Sequence, residues 1–265
     1  MVKNIDGRAL AEAVKDQLAQ EINDLKGPRP NLAIILVGQR EDSALYVSLK
    51  EREGRKVGVD THLYRLDEGT AEAELLSVID FLNHDELIDG ILVQLPLPAP
   101  LDADRIVSAI DPEKDVDGFH PRHPGYIVSP VIASVQACLG SINFNGQGRQ
   151  AALLYHSEVF GSGLRLLLEE AGWNIVSQAE SAKADLVITA LGQPHFLKKE
   201  MVKDGAILID IGISKVEGRI MGDVDYDDVK EKAGYITPVP GGIGPMTIAF
   251  LFKNVLAAYY HRRKL

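Results

Sequence analysis

Leu32-Ala-Ile-Ile-Leu-Val37 is an unbroken apolar run that ends at Gly38, and it decides the fold of the chain. A short run of this kind is typical of a strand that is buried on both faces of a parallel sheet. Apolar residues recur before it at spacings of three and four, which predicts an amphipathic helix: Leu10, Val14, Leu18, Ile22 and Leu25. We therefore expect a helix that leads directly into a buried parallel strand.

The same alternation continues after Val37. Apolar periodicity predicts, in turn, a helix at 43–57, a strand at 62–66, a helix at 71–82 and a strand at 90–95. Helices that alternate with buried strands imply an α/β domain built on a parallel sheet.

A second α/β unit is predicted beyond Gly118. Its apolar runs predict four strands, at 151–154, 173–176, 185–189 and 206–212. With a helix at 161–171, this pattern is typical of a small Rossmann-type sheet. We therefore predict two domains. Residues 1–118, completed by a C-terminal helix at 246–265, form the first, and residues 119–245 form the second.

Composition and charge argue against several classes of protein. The 265 residues include 28 Lys and Arg against 38 Asp and Glu, so the formal net charge is -10 and the surface should repel nucleic acid. No apolar run approaches the ~20 residues that a membrane span needs. A single cysteine, Cys138, and a first segment without an apolar signal region favour a cytoplasmic protein.

Tyr46 and Lys50 form the first candidate site. They stand four residues apart in Ser43-Ala-Leu-Tyr46-Val-Ser-Leu-Lys50, so both would project from one face of the predicted helix. That helix follows the carboxyl end of a strand, where the ligands of open α/β sheets gather. The ring could stack on a flat heterocycle, and a lysine whose pKa is lowered by burial could transfer protons. Such a pair is more often surface packing, so it needs support from other residues.

Gln94 and Asp117 give that support. Gln94 interrupts an apolar strand immediately before Leu95-Pro96, and a buried amide needs a ligand or a polar partner. Asp117 lies at the predicted domain junction, where a carboxylate could accept paired hydrogen bonds from an aminopyrimidine-type ring. The alternative for Asp117 is an ordinary Asp-Gly turn with Gly118.

A glycine-rich loop near the end of the chain is the third candidate. It reads Thr237-Pro-Val-Pro-Gly-Gly-Ile-Gly-Pro-Met-Thr247. Its glycines would let backbone amides approach a ligand, and the helix that begins near Met246 would point its N-terminus at the same place. The alternative is a rigid turn that joins two domains.

Four strings carry a resemblance to a known family: Ser43-x-x-Tyr46-Val-x-x-Lys50, Gly90-Ile-Leu-Val-Gln94-Leu-Pro-Leu-Pro98, Lys114-Asp-Val-Asp117-Gly-Phe119 and the loop from Thr237 to Thr247. With Asp6-Gly7 and Gly222-Asp-Val-Asp225, they resemble the methylenetetrahydrofolate dehydrogenase/cyclohydrolase family. The resemblance implies two α/β domains that flank a cleft, an N-terminal folate domain and a Rossmann-type cofactor domain, usually in a homodimer.

The resemblance also implies two reactions of a tetrahydrofolate derivative. One oxidises 5,10-methylenetetrahydrofolate to 5,10-methenyltetrahydrofolate by hydride transfer to NADP. The other hydrolyses that product to 10-formyltetrahydrofolate.

Residue roles follow from the same resemblance. Lys50 would be the central acid/base of the hydrolysis, and Gln94 would hydrogen-bond to it. Tyr46 would stack on the pterin, and Asp117 would anchor the amino edge of the pterin. The remaining substrate-binding positions would be Ser43, Leu95, Pro96, Pro240, Gly241 and Gly242. The cofactor-binding positions would be Ser157, Gly161, Gly192 and Ile213.

The cofactor domain departs from the family pattern in its phosphate turn. The turn reads Tyr155-His-Ser-Glu158-Val-Phe-Gly161-Ser-Gly163, in which Tyr155 replaces a glycine and Glu158 is acidic. A bulky residue obstructs the approach of the pyrophosphate to the backbone, and a carboxylate repels it.

The second departure is the connection between the second and third strands of this domain. Only residues 177–184 are available, whereas a crossover with its helix needs at least about 10–12 residues. We expect its helix to be absent or a single turn. This segment holds Glu180 and no arginine that could bind a 2′-phosphate.

These departures predict that NADP or NAD binding is weak or lost, which leaves a cyclohydrolase. The alternatives are a fully bifunctional enzyme and a non-catalytic folate-binding relative. An unrelated NAD-dependent dehydrogenase is disfavoured because the turn has no Gly-x-Gly-x-x-Gly pattern. No metal is expected, since His120 and His123 are interpreted as exposed loop residues and Cys138 as a small buried one.

Overall fold

The computed structural model describes residues 2–156 and 158–264. The chain divides into two compact units. The three-stranded unit contains Glu12–Pro130 and Ile248–Leu265, and the six-stranded unit contains Met1–Ala11 and Val131–Thr247. These bounds differ from the predicted ranges. Residues 1–11 group with the second sheet because a short strand there pairs with it, and 119–130 group with the first unit.

The strands, in chain order, are β1 (Lys3–Asn4), β2 (Asn31–Val37), β3 (Asp60–Leu66), β4 (Gly90–Val93), β5 (Gln150–Tyr155), β6 (Asn174–Val176), β7 (Leu186–Ala190), β8 (Ile207–Asp210), β9 (Ser214–Val216), β10 (Arg219–Met221) and β11 (Tyr235–Ile236). The α-helices are α1 (Gly7–Asn23), α2 (Glu41–Val57), α3 (Glu72–His84), α4 (Ala103–Ser108), α5 (Pro130–Ser141), α6 (Glu158–Glu170), α7 (Tyr226–Val229) and α8 (Ile243–Arg263). Two 3-10 helices span Gln178–Lys183 and Lys199–Met201.

The three-stranded unit is built on β2, which lies between β3 and β4 in a parallel sheet. The unbroken apolar run is explained by burial on both faces. Leu32, Ile34 and Leu36 pack with residues of α1, α2 and α8, whereas the alternate side chains pack with α3. Because all three strands run in parallel, the residues that follow them meet at one carboxyl edge.

The six-stranded unit has the strand order β1-β11-β8-β7-β5-β6. All neighbouring strands of this sheet run parallel to one another. Strands β5, β6 and β7 follow one another along the chain. In the sheet, however, β5 lies in the middle, with β6 on one side and β7 on the other. The order therefore reverses between β5 and β7, and such a switch point is where open α/β sheets bind ligands.

The predicted elements are present, with shifted ends. Strand β4 ends at Val93, two residues before the predicted end, and α8 begins at Ile243 instead of Met246. The crossover between β6 and β7 contains no α-helix but a 3-10 helix of six residues, Gln178–Lys183. This is about two turns, one more than expected. No helix in residues 2–156 or 158–264 is both long and apolar enough to cross a membrane.

Candidate active site

Lys50 lies on α2, the helix that follows the central strand β2. The helix buries Val47 and Val57 against the core, and this packing fixes which of its faces carries Lys50. The Lys50 side chain is partly buried, and burial lowers its pKa, although the nearby carboxylate of Asp117 opposes that shift. A lysine of this kind is neutral more often than an exposed one and can accept a proton.

Gln94 is the direct partner of Lys50. The Lys50 Nζ donates a hydrogen bond to Gln94 Oε1 at 2.9 Å. The Gln94 amide nitrogen, Nε2, donates to the backbone carbonyl of Leu95 at 2.7 Å, and the backbone N–H of Gln94 donates to Ile35. The amide group is therefore oriented with its carbonyl oxygen toward the lysine.

Asp117 is held at the same edge by a turn that begins at Asp115. An isolated parallel bridge between Ile91 and Asp115 adds this segment beside β4. The buried Asp115 carboxylate accepts a hydrogen bond from the backbone N–H of His120 at 2.6 Å, and the nearby N–H groups of Asp117 and Phe119 also favour its ionised form.

Gly118 completes this turn. It has a φ of 68°, and a Cβ there would come within 2.9 Å of the backbone nitrogen of Ser129. The predicted Asp-Gly turn is thus present, and it constrains the backbone on which Asp117 stands.

The charges of the site influence one another. Burial raises the pKa of Asp117 to about 6, the Lys50 ammonium opposes this shift, and Asp115 adds to it. Burial also raises the pKa of Asp115. A carboxyl group with a pKa of about 6 can change charge close to neutral pH, and a lysine with a lowered pKa gives up its proton more readily than an exposed one.

Tyr46 precedes Lys50 by four residues on α2 and is partly buried. Burial, together with the negative charge of Asp42, raises the pKa of its hydroxyl, which keeps the ring neutral. Ser43 is buried, and no hydrogen bond from the described residues reaches its hydroxyl oxygen. An unsatisfied buried hydroxyl is uncommon and can take a ligand as its partner.

Leu95 and Pro96 follow Gln94 at the end of β4. Leu95 is partly buried and Pro96 is exposed, and the peptide bond between them is cis. The structure thus places seven of the predicted residues in the three-stranded unit, on α2 or after β4. The substrate-binding roles predicted for them stay predictions.

The loop that contains Pro240, Gly241 and Gly242 belongs to the six-stranded unit. Its conformation depends on close packing with the start of α1. A Cβ on Gly7 would lie 2.0 Å from the carbonyl oxygen of Gly242, and the backbone N–H of Arg8 donates to the carbonyl of Gly241 at 3.0 Å. The role of this loop in substrate binding stays a prediction.

The predicted cofactor positions follow neighbouring strands of the six-stranded sheet. Gly161 lies on the first described turns of α6 after β5, Gly192 follows β7, and Ile213 follows β8. Ser157 lies outside the described residues. Gly192 has a φ of 65°, with open space where a Cβ would stand, and Ile213 is 41% exposed. The carboxyl edge is therefore accessible at β7 and β8.

Tyr155 lies against the first turn of α6. Its ring packs directly on Gly161, where a Cβ would lie 2.1 Å from ring atoms. Gly161 therefore serves to admit the ring between β5 and α6.

Two buried carboxylates organise the loops at this edge, and neither was predicted as a site residue from the sequence. Asp223 accepts backbone hydrogen bonds from Leu191 at 2.6 Å and Gln193 at 2.7 Å, on either side of Gly192. Asp210 accepts from Thr189 Oγ1 at 3.0 Å and from three backbone N–H groups. Burial, with the repulsion of Asp223, raises the pKa of Asp210 to about 6. The Gly-Asp-Val-Asp string was the available signal.

A contact between His156 and Gln193 spans the switch point. His156 follows β5 and Gln193 follows β7, and their Nε2 atoms lie 3.0 Å apart. For this contact to be a hydrogen bond, the imidazole nitrogen must accept from the amide.

The expectation for His120 was wrong. His120 is only 2% exposed, because its ring lies under the turn that follows Asp115. Its Nδ1 accepts from the backbone of Arg122 at 2.9 Å, and its Nε2 lies 3.2 Å from the carbonyl of Ser108. His123 is exposed, as expected. Cys138 is buried, and burial raises its pKa to about 12, so it remains a thiol.

No group of three or more potential metal ligands occurs among residues 2–156 and 158–264.

These features define a class of protein: a two-unit α/β chain with a lysine–amide pair in one unit and a Rossmann-type sheet in the other. The family model "Tetrahydrofolate dehydrogenase/cyclohydrolase, catalytic domain" matches residues 5–117, and the model of the NAD(P)-binding domain matches residues 130–263. The chain belongs to the tetrahydrofolate dehydrogenase/cyclohydrolase family.

Relatives and solved structures agree with this membership. The bifunctional protein FolD of Halothermothrix orenii is 41% identical over 281 aligned positions, which cover 98% of this chain and 99% of that protein. The FolD methylenetetrahydrofolate dehydrogenase/cyclohydrolase structure from Campylobacter jejuni matches with a TM-score of 0.94 and 37% identity, over 99% of this chain and 100% of that one. The Trypanosoma brucei enzyme, complexed with NADP cofactor and inhibitor, matches with a TM-score of 0.92 and 32% identity, over 100% and 99%.

The expectation that the dinucleotide site has decayed is not supported by these matches. The NAD(P)-binding model extends over the altered turn at Tyr155 and over the short crossover. The matches fit the alternative of a bifunctional enzyme better than a cyclohydrolase alone.

Proposed function

We propose that this chain is a bifunctional enzyme. It oxidises 5,10-methylenetetrahydrofolate with a nicotinamide dinucleotide as the hydride acceptor, and it hydrolyses the resulting 5,10-methenyltetrahydrofolate to 10-formyltetrahydrofolate. The observation that carries the proposal is the 2.9 Å hydrogen bond between Lys50 Nζ and Gln94 Oε1, in a chain that matches both domains of the family.

In the hydrolysis, Lys50 acts as the base. The methenyl carbon belongs to a delocalised amidinium-like cation, and water attacks it. As the C–O bond forms, neutral Lys50 accepts the proton of the water, directly or through a second water molecule. That proton then passes from Lys50 to the ring nitrogen N5 as the C–N5 bond breaks. The hydroxyl of the intermediate loses its own proton to water as the C=O bond forms, which leaves the formyl group on N10.

Gln94 and Asp117 support this step. The oriented carbonyl of Gln94 holds the lysine nitrogen in one position, which reduces the entropy lost on reaching the transition state. Asp117 accepts hydrogen bonds from the amino edge of the pterin, and the pterin stacks on Tyr46. Ser43, Leu95 and Pro96 complete the substrate-binding residues around them.

The residues at the carboxyl edge of the six-stranded sheet fit a dinucleotide. The edge is open at Gly192, where no atom would contact a Cβ, and the switch point lies between β5 and β7. When bound there, the dinucleotide accepts the hydride. The chain would hold it through Gly161, Gly192 and Ile213, with Ser157 as a further predicted contact.

A spectroscopic assay with the purified protein tests both halves of the proposal. Disappearance of methenyltetrahydrofolate measures hydrolysis, and absorbance of the reduced dinucleotide measures oxidation of methylenetetrahydrofolate. We expect both activities. Hydrolysis without any reduced dinucleotide would contradict the dehydrogenase half, and the absence of hydrolysis above the rate without protein would contradict the cyclohydrolase half.

We also propose that the chain forms a homodimer and is cytoplasmic, as the resemblance and the composition suggested. Light scattering after size-exclusion chromatography measures the assembly directly. A mass near twice 28.9 kDa is expected, and a mass of one chain at micromolar concentration would contradict it.

A further inference from the structure

The carboxyl end of β6 holds a carboxylate in a fixed position. Glu180 stands four residues after Val176, but the 3-10 turn brings it back to the strand end. Its Oε2 accepts from the Ser177 hydroxyl at 2.8 Å and from the Ser177 backbone N–H at 3.3 Å. The Glu180 N–H in turn donates to the carbonyl of Ser177 at 2.9 Å.

One oxygen of this carboxylate is available to a ligand. Both hydrogen bonds reach Oε2, and none from the described residues reaches Oε1. The Glu180 side chain is exposed, and the hydrogen bonds from Ser177 lower its pKa, so it is ionised at neutral pH. The strand end therefore presents an ionised hydrogen-bond acceptor.

The position of Glu180 in the topology is informative. In Rossmann-type sheets, the end of the second strand lies beside the ribose of the adenosine half, and an acidic residue about 20 residues after the phosphate turn accepts from its 2′-hydroxyl. Here β6 is the second strand and pairs with β5, and Glu180 follows the turn at Gly161 by about that number of residues.

The same segment offers little to a 2′-phosphate. Lys183 is the only cation between Asn174 and Asp185. It lies three residues further along the 3-10 helix, which is about 6 Å of rise from Glu180. Residues three apart on a 3-10 helix share one face, and the charge of Lys183 helps to lower the pKa of Glu180, so this cation already interacts with the carboxylate. A 2′-phosphate at the strand end would lie close to the ionised Glu180, and like charges at close range repel.

We propose that the dehydrogenase half of this enzyme uses NAD in preference to NADP, and that Glu180 is the specificity-determining residue. Its Oε1 accepts a hydrogen bond from the 2′-hydroxyl of the adenosine ribose, and its charge repels a 2′-phosphate at that position. This inference rests on the proposed dehydrogenase activity.

The first test compares the two dinucleotides with the wild-type protein. With methylenetetrahydrofolate at saturation, kcat/KM for NAD should exceed that for NADP by at least about ten-fold, since a hydrogen bond to a charged group and a repelled phosphate both favour NAD. A preference for NADP would overturn the inference.

Substitution at Glu180 assigns the preference to that residue. Glu180→Gln should raise the KM for NAD, leave kcat at saturating NAD close to wild type, and reduce the NAD/NADP ratio by roughly ten-fold. Glu180→Arg should reverse the ratio. Glu170→Gln is the matched control, because this exposed glutamate ends α6 at the opposite edge of the sheet and should change nothing. An unchanged ratio in Glu180→Gln would overturn the inference.

Two further measurements keep the outcomes separate. Thermal unfolding checks that each variant folds, and Ser177→Ala, which removes one hydrogen bond to Glu180, gives a milder second variant with a smaller loss of preference. Titration calorimetry with NAD and NADP measures binding without turnover. Tighter binding of NAD than of NADP, lost in Glu180→Gln but without reduction, would reject the proposed dehydrogenase and support the role of Glu180 in dinucleotide selection, whereas binding of neither dinucleotide would reject both.

Discussion

Lys50 is the residue on which the proposed hydrolysis depends. Its nitrogen has one fixed acceptor, Gln94, and a carboxylate nearby, Asp117, and burial favours its neutral form. The geometry thus separates two functions: Gln94 positions the lysine, while burial adjusts its proton affinity. Tyr46 and Asp117 are available for the substrate.

Replacement of Lys50 tests this assignment. Lys50→Met keeps the length of the side chain and removes the proton acceptor, so hydrolysis of methenyltetrahydrofolate should fall about 10²–10⁴-fold while folate binding is retained. Initial rates and a folate titration measure the two effects. Lys26→Met, at an exposed lysine in the loop after α1, is the control. Wild-type turnover in Lys50→Met would show that another group is the base.

The raised pKa of Asp117 predicts a pH dependence of substrate binding. The ionised carboxylate accepts two hydrogen bonds from the pterin edge, whereas the protonated form accepts fewer. Since its pKa is about 6, the KM for methenyltetrahydrofolate should rise as the pH falls through 6 and stay level above about 7. Asp117→Asn should have a high KM without this dependence. A level wild-type KM from pH 5 to pH 8 would contradict the role of Asp117.

At the scale of elements, the loops at the carboxyl edge of the six-stranded sheet depend on buried carboxylates. Asp223 is 0% exposed and accepts the N–H groups on both sides of Gly192. Its hydrogen bonds connect the Gly222–Asp225 segment to the loop after β7.

Asp223→Asn should therefore weaken this loop. The amide can accept only one of the two N–H groups, so the free energy of unfolding should fall by about 1–3 kcal/mol, and the KM for the dinucleotide should rise. Urea unfolding and steady-state kinetics measure the two effects. Asp227→Asn removes only an exposed ion pair with Lys230 and should cost less than about 1 kcal/mol. Equal effects of the two substitutions would contradict the loop-holding role of Asp223.

Elements with a strong local signal could be predicted from the sequence. The apolar run at Leu32–Val37 predicts β2 because burial on both faces leaves no polar position in the strand. Strands β1 and β11 could not be predicted, because each has only two residues and they pair across most of the chain. The burial of His120 was missed for a related reason, since it depends on hydrogen bonds to Arg122 and Ser108 that the local sequence does not specify.

In the candidate site, too, local features could be predicted from the sequence but long-range contacts could not. The spacing of Tyr46 and Lys50 indicated one helix face, and the position of Gln94 at the end of an apolar strand indicated a polar partner. The hydrogen bond between Lys50 and Gln94 joins residues 44 positions apart, so only the fold brings them together. The packing of Tyr155 on Gly161 also required the structure, because a tyrosine in that turn could equally have pointed away from the helix.

At the scale of the whole molecule, the chain combines two kinds of chemistry in two units. The lysine and its partners belong to the three-stranded unit, and the open carboxyl edge with its switch point belongs to the six-stranded unit. Since the base proposed for hydrolysis and the residues proposed for cofactor binding lie on different sheets, replacement of Lys50 should leave the oxidation, and a substitution that weakens dinucleotide binding should leave the hydrolysis.

The most direct test of the bifunctional assignment gives methylenetetrahydrofolate and NAD, or NADP, to the wild-type protein and to Lys50→Met, and separates the folate products. The wild-type protein should produce reduced dinucleotide and 10-formyltetrahydrofolate. Lys50→Met should still produce reduced dinucleotide but accumulate 5,10-methenyltetrahydrofolate, because the oxidation remains and the hydrolysis is lost. A wild-type protein that produces no reduced dinucleotide, or a variant that forms 10-formyltetrahydrofolate at the wild-type rate, would contradict this account.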